Sequence, residues 1–253
     1  MHSLYQFHFL TTVSEQLCLL LDQLKVTPLN DRAISDLIAF QVSEHAPQGV
    51  YLIYLDGNPF YLGKAGDVGQ RLNEHLNKLE GRQKIDLTSA GYKALLLDKS
   101  MSTAANEDVL IAIFGKKHSG MWNNKGFGPK DPGQERDTTK PSAFDRGHPI
   151  RADYPVAKIH DRETVESLFT KLKDQLPYVF RYKLADEVES RTVDLTGVPR
   201  KADALLERAV NVLDPGWQGA ILSYGMVVYK TDKTYKYATT VFKPAKVTKP
   251  TRR

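Results

Sequence analysis

Two β-rich runs, Gly49-Val50-Tyr51-Leu52-Ile53-Tyr54-Leu55 and Pro59-Phe60-Tyr61-Leu62-Gly63, stand on either side of Asp56-Gly57-Asn58. Asp-Gly supplies the left-handed backbone that a tight hairpin turn needs, so the two runs are predicted to be adjacent antiparallel strands. The downstream pattern restricts the architecture further. Residues 68–80 carry leucines at 72, 76 and 79, a helical stripe that Gly81 can end, and Tyr92–Leu97 reads as a third strand. A helix over 103–114 would turn Val109, Leu110, Ile113 and Phe114 inward. The order hairpin, helix, strand, helix predicts an α+β fold with a small three-stranded antiparallel sheet flanked by helices.

Upstream, residues 11–25 and 31–44 carry apolar positions at helical spacing on either side of Pro28-Leu29-Asn30-Asp31, predicting an N-terminal helical hairpin. Glu15, Gln16 and Asp22 interrupt the apolar stretch there, so it is neither a membrane span nor a signal-peptide core, and a cytoplasmic location is expected. The single cysteine, Cys18, falls on this apolar face and reads as a buried structural thiol. From Gly115 to about His160 the chain turns to Gly, Pro, Lys, Asp and Arg without a sustained period, which reads as a long loop. Helical patterns come next at about 162–176 and 199–213, then a terminal hairpin of Ala220–Tyr229 with Tyr235–Phe242. Three regions are expected: a helical arm over 1–46, a core over 47–124, and a basic loop with a C-terminal recognition and dimerisation region over 125–253.

Charge points to a polyanionic partner. The chain of 253 residues has a formal net charge of +5. Its tail sets Lys230, Lys233, Lys236, Lys243, Lys246, Lys249, Arg252 and Arg253 against a single acid, Asp232, which reads either as a solvated strand surface or as a phosphate-contacting arm. His118, His148, His160, Asp145 and Asp153 follow no metal-ligand spacing. Gly126, Gly128 and Gly133 do not lead a strand into a helix, so no nucleotide site is expected.

Within the core, Gly49-Val50-Tyr51, Tyr61-Leu62-Gly63-Lys64, Arg71 with His75, Glu107 and Asn123 occur in order on the expected strand, strand, helix and helix. This set resembles the signature of the GIY-YIG nuclease superfamily over roughly residues 47–124, with Val50 and Leu62 in place of isoleucines. Arg71 followed by His75 resembles the variant in some GIY-YIG type II restriction endonucleases. Trp122-Asn123, Gly126-Phe127-Gly128, Asp131-Pro132-Gly133 and Phe144-Asp145-Arg146-Gly147-His148-Pro149 are similar to the same branch. The asparagine is placed at Asn123 and not Asn124 because it follows Trp122.

The residue types suit phosphodiester hydrolysis, which needs a base for water, neutralisation of the phosphoryl oxygens, and help for the departing 3′ oxygen. On adjacent strands, one register aims the Tyr51 and Tyr61 hydroxyls at the same face. Arg71 and His75 share a helix face, the first a phosphate clamp and the second suited to proton transfer. Lys64 is expected to stabilise a deprotonated tyrosine or contact a phosphate. Glu107 is the expected oxygen ligand for one Mg²⁺ or Mn²⁺ per site. The base is either Tyr51 alone or a Tyr51–His75 relay. Taken singly these are ordinary strand aromatics and helix-surface charges; the ordered set is what favours a site.

The resemblance implies a restriction endonuclease on double-stranded DNA, acting as a homodimer on a palindromic site of the kind that is often GC-rich in that branch, with a cognate methyltransferase to protect the host and with no membrane partner. The same core also serves homing and repair nucleases and, where residues are lost, non-catalytic DNA-binding proteins. This chain keeps Tyr51, Arg71 and Glu107 and shows neither DNA-binding repeats nor repair modules.

Overall fold

The computed structural model describes residue 4 and residues 8–118, 120–128 and 133–244. They fall into two compact units, one within Met1–Glu80 and Ile85–Pro129, the other within Gly81–Lys84 and Lys130–Arg253.

In the first unit, α1 (Phe9–Gln23) and α2 (Asp31–Ser43) bracket a two-residue strand, β1 (Thr27–Pro28). Asn30 caps α2 by accepting from the Ala33 amide. The hairpin of β2 (Gly49–Leu55) and β3 (Asn58–Ala65) turns at Asp56 and Gly57, with φ of 51° and 73°. Two successive left-handed residues are what a tight type I′ turn requires. Helix α3 (Val68–Glu80) comes next, then β4 (Gly91–Leu96), α4 (Lys99–Ala104) and α5 (Glu107–Lys117).

The sheet order is β1-β4-β2-β3, with every pairing antiparallel. The expected three-stranded sheet is therefore four-stranded. Its fourth member is a single pair of residues, Thr27 opposite Tyr92 and Pro28 opposite Gly91, too short to leave a pattern in the sequence. The expected helix at 103–114 is also corrected: Asn106 caps a helix that begins at Glu107, accepting from the Val109 amide, and α4 is separate. That cap puts Glu107 in the first helical turn.

Strand alternation divides the sheet into two faces. Val50, Leu52, Tyr54 and Leu62 pack with Val13, Leu17, Cys18 and Leu21 of α1 and with Leu110 and Phe114 of α5. Burial pushes the Cys18 thiol up to about 11, as befits a structural cysteine. Tyr51, Ile53 and Tyr61 project from the opposite face.

The second unit holds a sheet of order β10-β8-β9-β6, made of β6 (Val179–Tyr182), β8 (Trp217–Leu222), β9 (Gly225–Lys230) and β10 (Thr240–Phe242), in which only β6 with β9 runs parallel. The expected terminal hairpin is displaced. Its turn lies at Ser223-Tyr224, inside the run read as one strand, because apolar residues continue on both sides of the turn. β10 instead pairs with β8. Residues 162–164 form β5, which pairs with β7 (Thr192–Asp194), before α7 (Val165–Gln175) begins. Helices α7 and α9 (Ala202–Asn211) bury Leu168, Phe169, Leu172, Leu205, Leu206 and Val210 with Trp217, Met226 and Val228.

The span read as loop contains the last turn of α5, a 3-10 turn at Gln134–Thr138 and α6 (Ala143–Gly147). Two buried carboxylates anchor it. Asp145 pairs with Arg82, which also donates to the carbonyls of His148 and Ser223, and Asp137 pairs with Arg181 and Tyr224. The remaining short helix, α8 (Asp186–Glu189), precedes β7. Asp131 and Pro132 of the motif, and Lys246, Lys249, Arg252 and Arg253 of the basic tail, lie outside the described residues. Among the described residues no helix is long and apolar enough to cross a membrane.

Candidate active site

The β2–β3 register sets Tyr51 opposite Gly63 and Ile53 opposite Tyr61. The two tyrosines are therefore diagonal neighbours on one face, with ring centroids 6.3 Å apart. Gly63 is required by this arrangement. A Cβ at that position would lie 2.3 Å from the Tyr51 hydroxyl oxygen, so only glycine lets the phenol lie across β3.

Helix α3 covers this face through Leu72, His75, Leu76 and Leu79, and the four-residue step that buries His75 brings Arg71 to the same side. The Tyr51 hydroxyl lies 2.8 Å from His75 Nε2. His75 is 2% exposed. Burial, reinforced by the positive charges of Arg71 and Lys78, holds its pKa well below the ordinary histidine range, so the ring is neutral near pH 7. Burial also raises the Tyr51 and Tyr61 phenols, and negative charge on Glu107 adds to the rise, whereas Arg71 opposes it through charge and hydrogen bonding.

Glu107 reaches the site from the first turn of α5. Its carboxyl is raised mainly by desolvation, opposed by hydrogen bonding from the Lys64 backbone amide and by the charges of Arg71 and Lys64. It is a hard oxygen donor set close enough to two phenols to perturb both. A single carboxylate of this kind fits Mg²⁺, which retains most of its water, better than it fits a metal that demands a full protein cage. Among the described residues no group of three or more His, Cys, Asp or Glu forms a metal cluster.

Strand β3 is an edge strand, and the outer edge is where the remaining residues attach. The Trp122 amide donates to the Phe60 carbonyl at 2.8 Å. Asn123 accepts from the Leu62 amide at 3.0 Å and donates to the Leu62 carbonyl at 2.7 Å. Two residues further along, the Lys64 amide serves Glu107. Asn123 is thus buried against the backbone of β3 and away from the phenols, while Asn124 is exposed with φ of 60°. Lys64 differs in parity from Tyr61, so its side chain takes the other face, and its Nζ donates to the Ala105 carbonyl at 2.9 Å. The structure therefore gathers Tyr51, Tyr61, Arg71 and His75, with Glu107 at their margin, and leaves the Lys64 ammonium and Asn123 outside that group.

Two residues absent from the sequence-derived set complete the pocket. Phe127, fully buried, stacks on His75 with centroids 4.8 Å apart and an interplanar angle of 18°, and meets Tyr61 edge-on at 5.0 Å. The Gly128 carbonyl accepts from Arg71 Nη2 at 2.7 Å, and a Cβ on Gly128 would lie 2.3 Å from the Tyr61 hydroxyl oxygen. The Gly126-Phe127-Gly128 motif carries a signal in the sequence, but its place over the tyrosines is set by contacts distant along the chain.

No curated protein matches the chain. Residues 56–175 match the family model of the Eco29kI GIY-YIG domain. The matched span holds Tyr61, Arg71, His75, Glu107 and Asn123, and begins just after Tyr51. Over these residues the chain is similar to the Eco29kI GIY-YIG domain, a family of type II restriction endonucleases.

Proposed function

We propose that this protein is a site-specific, Mg²⁺-dependent endonuclease of double-stranded DNA, and that Tyr51, Tyr61, Arg71, His75 and Glu107 form its hydrolytic site. The observation that carries the reading is the buried Tyr51–His75 hydrogen bond, beside Arg71 and facing Glu107.

Arg71 and the Tyr61 hydroxyl hold the scissile phosphate, the first by charge and the second by hydrogen bonding. Attacking water gives its proton to the Tyr51 oxygen as the Tyr51 proton passes to His75 Nε2. A buried imidazolium beside Arg71 is costly in the free protein; the negative phosphate, once docked, offsets that cost. Glu107 would hold a divalent cation, which would supply positive charge for the departing 3′ oxygen. Phe127 excludes water behind the His75 ring, while Asn123 and Lys64 position β3 and the start of α5.

Each chain supplies one such set, and a palindromic duplex presents two equivalent scissile phosphates. A homodimer with two-fold symmetry matches them one to one. Sequence reading is assigned to residues 125–253, because the core offers little surface for reading several base pairs. A site-specific nuclease also calls for a cognate methyltransferase as host protection in the cytoplasm.

The test is parallel digestion of a plasmid of known sequence and a structured RNA, with and without Mg²⁺. Discrete double-strand fragments that map to one sequence, with RNA intact, are expected. Random nicking, or cleavage of RNA alone, contradicts the reading.

A further inference from the structure

Arg71 has a partner that the proposed reaction does not use. Glu74, three residues further along α3, takes Nη1 of Arg71, while Nη2 donates to the Gly128 carbonyl at 2.7 Å. Of the two side chains, that of Arg71 is 23% exposed and that of Glu74 is 45% exposed. The guanidinium is therefore fixed from within by backbone and met from the solvent side by a carboxylate. Carboxylate and phosphate diester offer a guanidinium the same thing, anionic oxygens in one plane with its N–H groups. Glu74 thus takes an N–H of Arg71 that a phosphate oxygen could otherwise accept from.

We propose that Glu74 is a built-in placeholder for the scissile phosphate, holding Arg71 oriented and charge-compensated in the free protein and giving way when a phosphodiester docks. The inference rests on the nuclease reading, in which Arg71 takes that phosphate. A half-exposed ion pair is weak and screened by salt, so it is displaced readily, but it still lowers the affinity of Arg71 for every phosphate that approaches. Glu74 then acts as a filter: backbone contact alone incurs the displacement penalty, and a duplex that also makes base contacts overcomes it. A purely structural role, as an ordinary ion pair along the helix surface, would stabilise α3 without affecting DNA.

The two roles separate in a binding experiment without divalent metal, so that no strand is cut. Fluorescence anisotropy of a labelled duplex is measured against the full chain, E74Q, R71M and the double variant over a range of KCl, after thermal melts establish that each is folded. E74Q is expected to bind about two- to fivefold tighter than the unsubstituted protein. Its logarithmic salt slope should stay the same, because Arg71 neutralises one phosphate in both proteins once Glu74 has given way. The gain should be the same on two unrelated duplexes, since phosphate contacts carry no sequence information. It should vanish in the R71M background, because Glu74 acts through Arg71. Equal affinity of E74Q and the unsubstituted protein overturns the placeholder role, as does a gain that survives in R71M. Failure of the unsubstituted protein to bind duplex DNA in a salt-dependent way contradicts the nuclease reading, and this inference with it.

Discussion

Asn123 satisfies both backbone polar groups of Leu62, accepting from its amide and donating to its carbonyl, and so completes the outer edge of β3 as one rung of a further strand would. A side-chain amide offers an acceptor and a donor side by side, spaced to meet both groups of one residue. Asn123→Ala leaves a buried donor and a buried acceptor of Leu62 without partners. We expect destabilisation on the order of 2 kcal/mol, read by denaturant unfolding. Asn123→Asp keeps the acceptor but sets a buried carboxylate oxygen against the Leu62 carbonyl, and should also be destabilised. Stability unchanged in both variants would separate Asn123 from the strand edge.

Gly63 and Tyr51 share one space. In Gly63→Ala the added Cβ meets the Tyr51 hydroxyl at 2.3 Å and its Cζ at 2.5 Å, and the ring must move off His75. Displacements near 1 Å in a catalytic group cost on the order of 10²-fold in rate, while overpacking of this kind costs about 1–3 kcal/mol in stability. Duplex cleavage rates and melting temperatures, measured together, should show a folded protein with a large loss of activity. Cleavage at the unsubstituted rate would mean that the position of Tyr51 is immaterial.

The neutral His75 ring makes a prediction with a definite sign. Its folded-state pKa is lowered by burial and by Arg71 and Lys78, so between that value and the unfolded value of about 6.5 the unfolded chain binds the extra proton. The stabilising contribution is therefore complete above about pH 6.5 and is lost as pH falls below it. His148, lowered mainly by its own burial, adds to the same trend. Comparing unfolding free energy against pH for the unsubstituted protein and His75→Asn isolates the His75 share, and the variant should show the shallower acid loss. In kcat/KM, which reports the free enzyme, the acid limb should lie below the ordinary histidine range. A limb centred near 6.5 that disappears in His75→Asn would show that the ring titrates normally.

Much of the site is legible in the sequence because short-range geometry sets it. Asp56-Gly57 fixes the turn, but the register of that turn alone would set Tyr61 opposite Leu52. A one-residue shift between Ile53 and Tyr54, which no turn signal announces, sets Tyr61 opposite Ile53, and parity then puts Tyr51 and Tyr61 on one face. The interval from Arg71 to His75 is one helical turn, so their common face is settled once α3 is assigned. The same parity rule, applied to Tyr61 and Lys64, places their side chains on opposite faces, a step the residue types alone do not suggest. Distant contacts are the part that no local pattern holds. Phe127 over His75, Gly128 on Arg71 and Asn123 on Leu62 join segments about 50–60 residues apart, and no short period encodes them. The Thr27–Pro28 strand and the turn at Ser223-Tyr224 escape for the opposite reason: each is too brief to leave a pattern, the first at two residues and the second without glycine or asparagine at its corner.

Hydrolysis of DNA by this cluster with a metal held by Glu107 makes Glu107→Gln the decisive variant. The change keeps the size of the side chain and removes the charge that a hard cation requires. Cleavage and binding of one mapped duplex are measured side by side, cleavage across Mg²⁺ concentrations and binding without metal. Glu107→Gln should cut neither strand at any Mg²⁺ concentration, while binding the duplex as tightly as the unsubstituted protein or more tightly, since a negative charge near the phosphates is gone. Near-normal Mg²⁺-dependent turnover in Glu107→Gln would contradict a metal held by Glu107.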